Sequence, residues 1–206
     1  MMRNFFTSQV NTRPTGDCSV SMSQANVLML AFAVPAVAVL AALYVTGWGW
    51  PSLRAGLYWY LSLWVFLPSA IIGIVVHELI HAGTWALFTG RPLRAVQLGF
   101  QARTLTPFAH LKAPAPVNAY RLGTVMPCLL LGVLPALAAL VSGQGGLMAF
   151  GLFFTFVAGG DLLILWLIRH VRADHLVQDH PERAGCLVME DGQGADVQPH
   201  GEVLGQ

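Results

Sequence analysis

Charge is what this sequence lacks. Of its 206 residues only 10% are Asp, Glu, Lys or Arg, while 55% are hydrophobic. A soluble domain carries roughly 25% charged residues. A chain this poor in charge cannot cover itself with a water-compatible surface, which excludes a soluble globular enzyme and a disordered protein. The net charge of +1 supplies no basic footprint, which excludes a nucleic-acid binder. Cysteine is scarce too. Cys18, Cys128 and Cys186 are odd in number and far apart. They match neither a disulfide framework nor a CxxC metal knuckle, so the sequence predicts separate reduced thiols. What is abundant is apolar surface, with a mean hydropathy of +0.61, and that predicts an integral membrane protein.

Four apolar runs predict four transmembrane helices, at about residues 26–47, 57–89, 122–141 and 147–168. Between Arg54 and Arg91 the only charged residue is Glu78. A straight helix of that length would reach about 50 Å, against a hydrocarbon core of about 30 Å. It must tilt, kink or protrude, and Pro68 is the expected kink. The first run starts too late and runs too long for a signal peptide, so it reads as a retained span. The fold class expected is an all-α polytopic membrane protein with a short cytoplasmic strand or hairpin between spans 2 and 3. Residues 1–25 read as a loose polar tail, 26–189 as the membrane domain and 190–206 as a disordered acidic tail. No internal repeat is visible.

Orientation follows from Lys and Arg. Four spans put Arg3, Arg13, Arg91, Arg94, Arg103, Lys112, Arg121, Arg169, Arg172 and Arg183 on one side and Arg54 alone on the other. Both termini are therefore expected in the cytoplasm, with the chain in the cell inner membrane. In the middle loop, Val96, Leu98, Phe100 and Ala102 alternate with polar or small residues. That period of two predicts a half-buried strand. Leu105, Pro107 and Ala109 supply a return strand. Leu176, Val177, Leu187 and Val188 are apolar anchors for the proximal part of the carboxyl tail.

The second span carries His77-Glu78-Leu79-Ile80-His81, an HExxH motif. Residues four apart share a helix face, so His77 and His81 can bind one metal ion. Glu78 can reach a water on that metal without ligating it. Zinc brings such a water's pKa towards neutrality, and a carboxylate completes the deprotonation. Two histidines and a glutamate among Ile, Val and Leu are costly in hydrocarbon, and a metal in a wet pocket accounts for all three. Zinc needs a third ligand. Asp161 is the only ionisable residue of the fourth span and follows Ala158-Gly159-Gly160, small residues that let helices approach closely. It is the leading candidate. Asp179 with His180, and His110, are alternatives. Asp174 and His175 read as solvated loop residues, and His170 and His200 as surface histidines. Trp48, Trp50, Tyr58, Trp59, Tyr60 and Trp64 read as an interfacial belt. Pro127 and Pro135 read as kinks. Tyr120 and Arg121 read as headgroup anchors at a helix end, or as groups that bind a peptide or stabilise an oxyanion.

These residues resemble the small bacterial membrane proteins grouped as zincin peptidases, a family of the domain-of-unknown-function type. The resemblance covers roughly residues 57–188. It rests on the HExxH motif, Leu98-Gly99-Phe100, Leu105-Thr106-Pro107, Tyr120-Arg121-Leu122-Gly123, Ala158-Gly159-Gly160-Asp161-Leu162, Asp179-His180-Pro181 and Gly185-Cys186. It implies a membrane zinc peptidase. The layout is distantly similar to the site-2 class of intramembrane metalloproteases, which pair HExxH in one helix with an aspartate in a later one.

The expected function is a membrane-embedded zinc metallopeptidase with one zinc ion on His77, His81 and Asp161 and with Glu78 as general base. The alternative is a non-catalytic zinc-binding membrane scaffold, a degenerate protease. A transporter is disfavoured because the outer halves of the spans carry almost no polar groups. Haem ligation fails because both histidines leave the same helix face. The expected partners are a peptide or membrane-protein substrate and the lipid bilayer. Leu98, Gly99 and Phe100 could present a strand edge to an extended substrate, in which case Leu98→Pro lowers cleavage and leaves zinc content unchanged.

Overall fold

The computed structural model describes residues 14–90, 92–93, 96–101, 106–111 and 113–189. It is mostly helical. The first strand, β1 (Pro14–Val20), leads through Ser21 into α1 (Met22–Leu28). A capping box starts that helix. The Ser21 side chain accepts from the Gln24 backbone N–H, and the Gln24 side chain accepts from Ser21 N–H at 3.1 Å, which satisfies two otherwise orphaned donors. After Met29 the chain continues as α2 (Leu30–Tyr60), interrupted at Gly49, where φ is 79° and ψ 159°. That conformation suits a residue without Cβ, and Pro51 helps restart the helix.

Next comes α3 (Leu63–Thr89), which ends on Gly90 in the left-handed conformation. Two sequence expectations change here. The first helix does not end at residue 47 but continues past the Gly49 kink into a second helical leg, and residues 57–60 end that leg rather than open the next span. The excess length is resolved by a break at Leu61-Ser62, with Ser62 extended, while α3 runs through Pro68 without a non-helical residue. Pro68 lies early in the helix and removes one backbone donor. The Ser62 side chain does not cap α3; its hydroxyl donates back to the Trp59 carbonyl at 2.7 Å and closes the end of α2.

A hairpin follows, β2 (Val96–Gln101) antiparallel to β3 (Thr106–Leu111), as the alternation predicts. The short β4 (Ala115–Pro116) leads into α4 (Val117–Pro127), a π-helical turn at Cys128–Val133 and α5 (Leu134–Ser142). The π turn begins directly after Pro127, whose missing N–H disturbs the regular ladder. Two further helices, α6 (Gly145–Val157) and α7 (Gly159–Leu167), are bent by 41° at Ala158. Two consecutive glycines are poor helix formers, and a Cβ on Gly159 would crowd Ala33 of α2. The bend puts Asp161 in the first turn of α7, where the helix dipole favours an anion. Among the described residues three helices are long and apolar enough to cross a membrane, or four if the bent pair is one span.

The amino-terminal segment is the main correction. Residues 14–20 are not a loose tail. They form the edge of a four-stranded antiparallel sheet ordered β1-β6-β5-β4, completed by β5 (Leu176–Asp179) and β6 (Ala184–Met189). The expectations for residues 1–13 and 190–206, His200 among them, and for Ala102 and Leu105 of the hairpin fall outside the described residues. The sheet joins segments from before α1, between α3 and α4, and after α7 at one end of the bundle. Beneath it lies a core of Trp85, Leu111, Tyr120, Ile168, Val177 and Cys186. A second core, with Tyr44, Leu53, Ala136, Met148 and Leu152, fills the other end. There the α2–α6 crossing is so close that a Cβ on Gly56 would overlap the Gly145 backbone. Outward-facing Trp64, Leu87 and Val141 are exposed, as lipid-facing side chains are.

Candidate metal centre

His77 and His81 lie one turn apart on α3 and are 5% and 6% exposed. The first turn of α7 brings Asp161 against them. Asp161 Oδ2 is 3.1 Å from His77 Nε2, Asp161 Oδ1 is 3.3 Å from His81 Nε2, and the two Nε2 atoms are 3.2 Å apart. Among the described residues this trio is the one cluster of metal-ligating side chains. Bonds of about 2.0–2.1 Å from a tetrahedral zinc place neighbouring donor atoms about 3.3–3.4 Å apart, close to what is seen. His81 Nδ1 donates to the Gly123 carbonyl at 2.8 Å. In the neutral ring that bond leaves the Nε2 lone pair facing the cluster, the outer contact that orients a ligating histidine. Asp161 Oδ2 and His77 Nδ1 are buried without a hydrogen-bond partner. An orphaned carboxylate oxygen beside imidazole lone pairs calls for a cation. The donor set therefore fits zinc.

Glu78 is half-buried at the same cavity, of about 460 Å³. Its carboxylate accepts from the Ala109 backbone N–H on β3. Leu111 N–H, two residues on, donates to Asp179 Oδ2 at 2.6 Å. Both donors point away from β2, where Leu98 is the ladder partner of Ala109. The strand edge that faces the site is thus β3. Leu98, Gly99 and Phe100 lie on β2, the strand paired to the other edge of β3.

Asp179 has a different place from that of a ligand. Besides Leu111 N–H it accepts from Tyr120 Oη–H at 2.5 Å, and His110 Nδ1 stands 3.9 Å away. Burial holds its carboxyl above the usual carboxylate range, against the two hydrogen bonds that favour the ionised form. Tyr120, 1% exposed, stacks on Trp85, and Trp85 stacks on His81, with ring centroids 5.5 and 5.3 Å apart. No local pattern in the sequence marks this ladder from Asp179 to His81. Tyr120 is no headgroup anchor, and neither is Arg121, whose guanidinium donates to the carbonyls of Ile168 (2.6 Å) and Val171 (2.7 Å) beyond the end of α7. The Ile168 carbonyl also accepts from Val171 N–H at 3.1 Å, and the guanidinium adds to the closure of the chain past the helix end, as a basic side chain does at a helix C-terminus. His180 holds a turn, its Nδ1 accepting from the Glu182 and Arg183 N–H groups. Asp174 and His175 pair with each other at the surface, and Asp174 also pairs with Arg172. His170 is exposed.

The Tyr120–Asp179 bond carries a stability prediction. Tyr120→Phe leaves a buried carboxylate oxygen without its donor, and the cost expected is about 1–3 kcal/mol. Thermal unfolding in detergent should show a lower Tm with zinc content unchanged. An unchanged Tm would mean that water replaces the hydroxyl.

Two buried histidines one helical turn apart, a glutamate beside them and an aspartate from another apolar helix define the class as that of chains with an HExxH-type candidate metal site. The family model described as "Putative zincin peptidase" matches residues 70–176, just over half of the chain, and the chain belongs to that family. No curated protein and no solved structure matches it. The likeness to site-2 intramembrane metalloproteases is not shown by these comparisons.

Proposed function

We propose that this protein is a membrane-embedded zinc metallopeptidase that hydrolyses peptide bonds. The convergence of His77, His81 and Asp161 within one ligand sphere carries the reading, and family membership supports it. One zinc ion would be held by these three side chains. When bound, it supplies a Lewis acid that acidifies water and polarises a carbonyl. Glu78, next in sequence to His77 and facing the cavity, takes the proton of the attacking water and hands it to the leaving amine. The β3 edge offers Ala109 N–H to an extended substrate, whose carbonyl replaces the Glu78 carboxylate there and frees it to act as base. The shared sheet of β1, β4, β5 and β6 supports an even number of crossings. With the Lys and Arg bias it supports four spans in the inner membrane with both termini cytoplasmic.

The test is metal content with metal removal. Protein purified in detergent is expected to hold one zinc per chain. It is expected to cleave a mixed peptide library, read by mass spectrometry, to lose that cleavage in 1,10-phenanthroline and to regain it with zinc. Well-folded protein without zinc would overturn the reading. Full zinc with no cleavage of any peptide or membrane protein offered would favour the scaffold alternative.

A further inference from the structure

Two cysteines that stand far apart in sequence face each other in the fold. In the β1–β6 ladder Cys18 is the direct partner of Cys186. Cys186 is fully buried in the core beneath the sheet, and Cys18 packs on the same core while keeping partial exposure. Directly opposed residues of an antiparallel pair have Cβ atoms about 4.5–5.5 Å apart. A disulfide needs about 3.5–4.5 Å, a difference that a small strand shift closes. The strands already approach closely here. Gly185 has a φ of 126°, and a Cβ on it would run into the Cys18 carbonyl. Burial raises both thiols, Cys186 to about 12. They are therefore neutral at ordinary pH, and neither has a part in the metal chemistry.

We propose that Cys18 and Cys186 are a redox pair that closes to an intramolecular disulfide under a two-electron oxidant of the peroxide class. Cys18, the more exposed, attacks first. Its sulfur bonds to one peroxide oxygen, the O–O bond breaks, and the departing hydroxide leaves as water with the Cys18 proton. Cys186 sulfur then attacks the sulfenic sulfur, the S–O bond breaks, and the second hydroxide leaves as water with the Cys186 proton. Two thiols are oxidised and one peroxide is reduced to two waters. The raised thiols make the first attack slow, so the pair responds to sustained oxidant and not to traces. The crosslink acts on a defined part of the molecule. β1 runs through Ser21 into α1, whose Met22, Ala25 and Asn26 line the metal-site cavity. A disulfide fixes that wall to the carboxyl-terminal strand.

The experiment uses the full chain in detergent, treated with hydrogen peroxide, then denatured and titrated with a maleimide. Of the three thiols, wild type is expected to keep one, Cys128. Peptide mapping should join residue 18 to residue 186 within one chain, and dithiothreitol should restore all three thiols. Cys18→Ser and Cys186→Ser are each expected to form no such link. Amide hydrogen exchange over residues 14–29 should slow at least tenfold on oxidation of wild type, and not in Cys186→Ser. Persistence of all three thiols, links between chains only, or a sulfinic acid on Cys18 without a link would each overturn the proposal.

Discussion

Replacing Glu78 by Gln is expected to leave zinc content at the wild-type level while cleavage falls by about 10²–10⁴-fold, the usual worth of a positioned general base. His77→Ala, His81→Ala and Asp161→Ala are expected to lose zinc and cleavage together. The two outcomes separate because the two jobs sit on different atoms. The ligand atoms are the two Nε2 atoms and the Asp161 carboxylate, clustered at 3.1–3.3 Å. Glu78 leaves the cluster and reaches Ala109 N–H instead. A carboxamide oxygen still accepts from that N–H, so the β3 edge and the helix face are undisturbed. What it cannot do is take a proton. Zinc by mass spectrometry and cleavage of the same peptide library, on the same preparations, check the separation. Glu78→Gln with wild-type cleavage would remove the glutamate from the chemistry. Asp161→Ala with full zinc would remove the aspartate from the ligand set.

How much of this was legible in the sequence depends on the range of each interaction. His77 and His81 were legible because one helical turn joins them. Asp161 was legible because an ionisable residue in an apolar span has few innocent explanations, and Gly159-Gly160 marked a place where helices approach. The β2–β3 hairpin showed its period of two. The four-stranded sheet did not show itself, since β1 is a short polar strand whose partner, β6, lies at the far end of the chain, and strand pairing of that kind leaves no local pattern. The same distance hid the Cys18–Cys186 pairing and the Tyr120–Asp179 contact. Tyr120 and Arg121 read as anchors in the sequence because aromatic and basic residues at a helix end usually are. Only the fold of residues 168–179 back over α4 gives them carbonyl and carboxylate partners. The break at Ser62 instead of Pro68 was a choice between two real signals. Pro68 removes one backbone donor and α3 continues through it, while the chain turns at Leu61-Ser62, where the Ser62 hydroxyl holds the last turn of α2 through the Trp59 carbonyl.

The arrangement around the second histidine makes the other large prediction. Gly123 of α4 does two things for His81. Its carbonyl takes the Nδ1 proton at 2.8 Å, and its missing Cβ leaves room for the Trp85 indole, which such a Cβ would overlap. Trp85 is stacked between His81 and Tyr120 and donates from Nε1 to the Tyr120 carbonyl at 3.2 Å. It has nowhere to retreat. Gly123→Ala must push α4 from α3 or turn the indole, and either movement lengthens the bond that sets the tautomer and angle of His81. Outer contacts of this kind are worth about 10–100-fold in metal affinity. Zinc affinity is expected to fall by that factor, measured by competition with a chromogenic chelator. Gly83→Ala is the matched control. It lies two residues beyond His81 on the same helix, where an added Cβ meets nothing within 4 Å, so zinc affinity should hold. There the removal of a helical glycine should raise stability by about 0.5–1 kcal/mol. Equal affinity in both variants would show that the ligand atoms alone set the site. A loss confined to Gly123→Ala would place the control of His81 in the packing of α4 against α3.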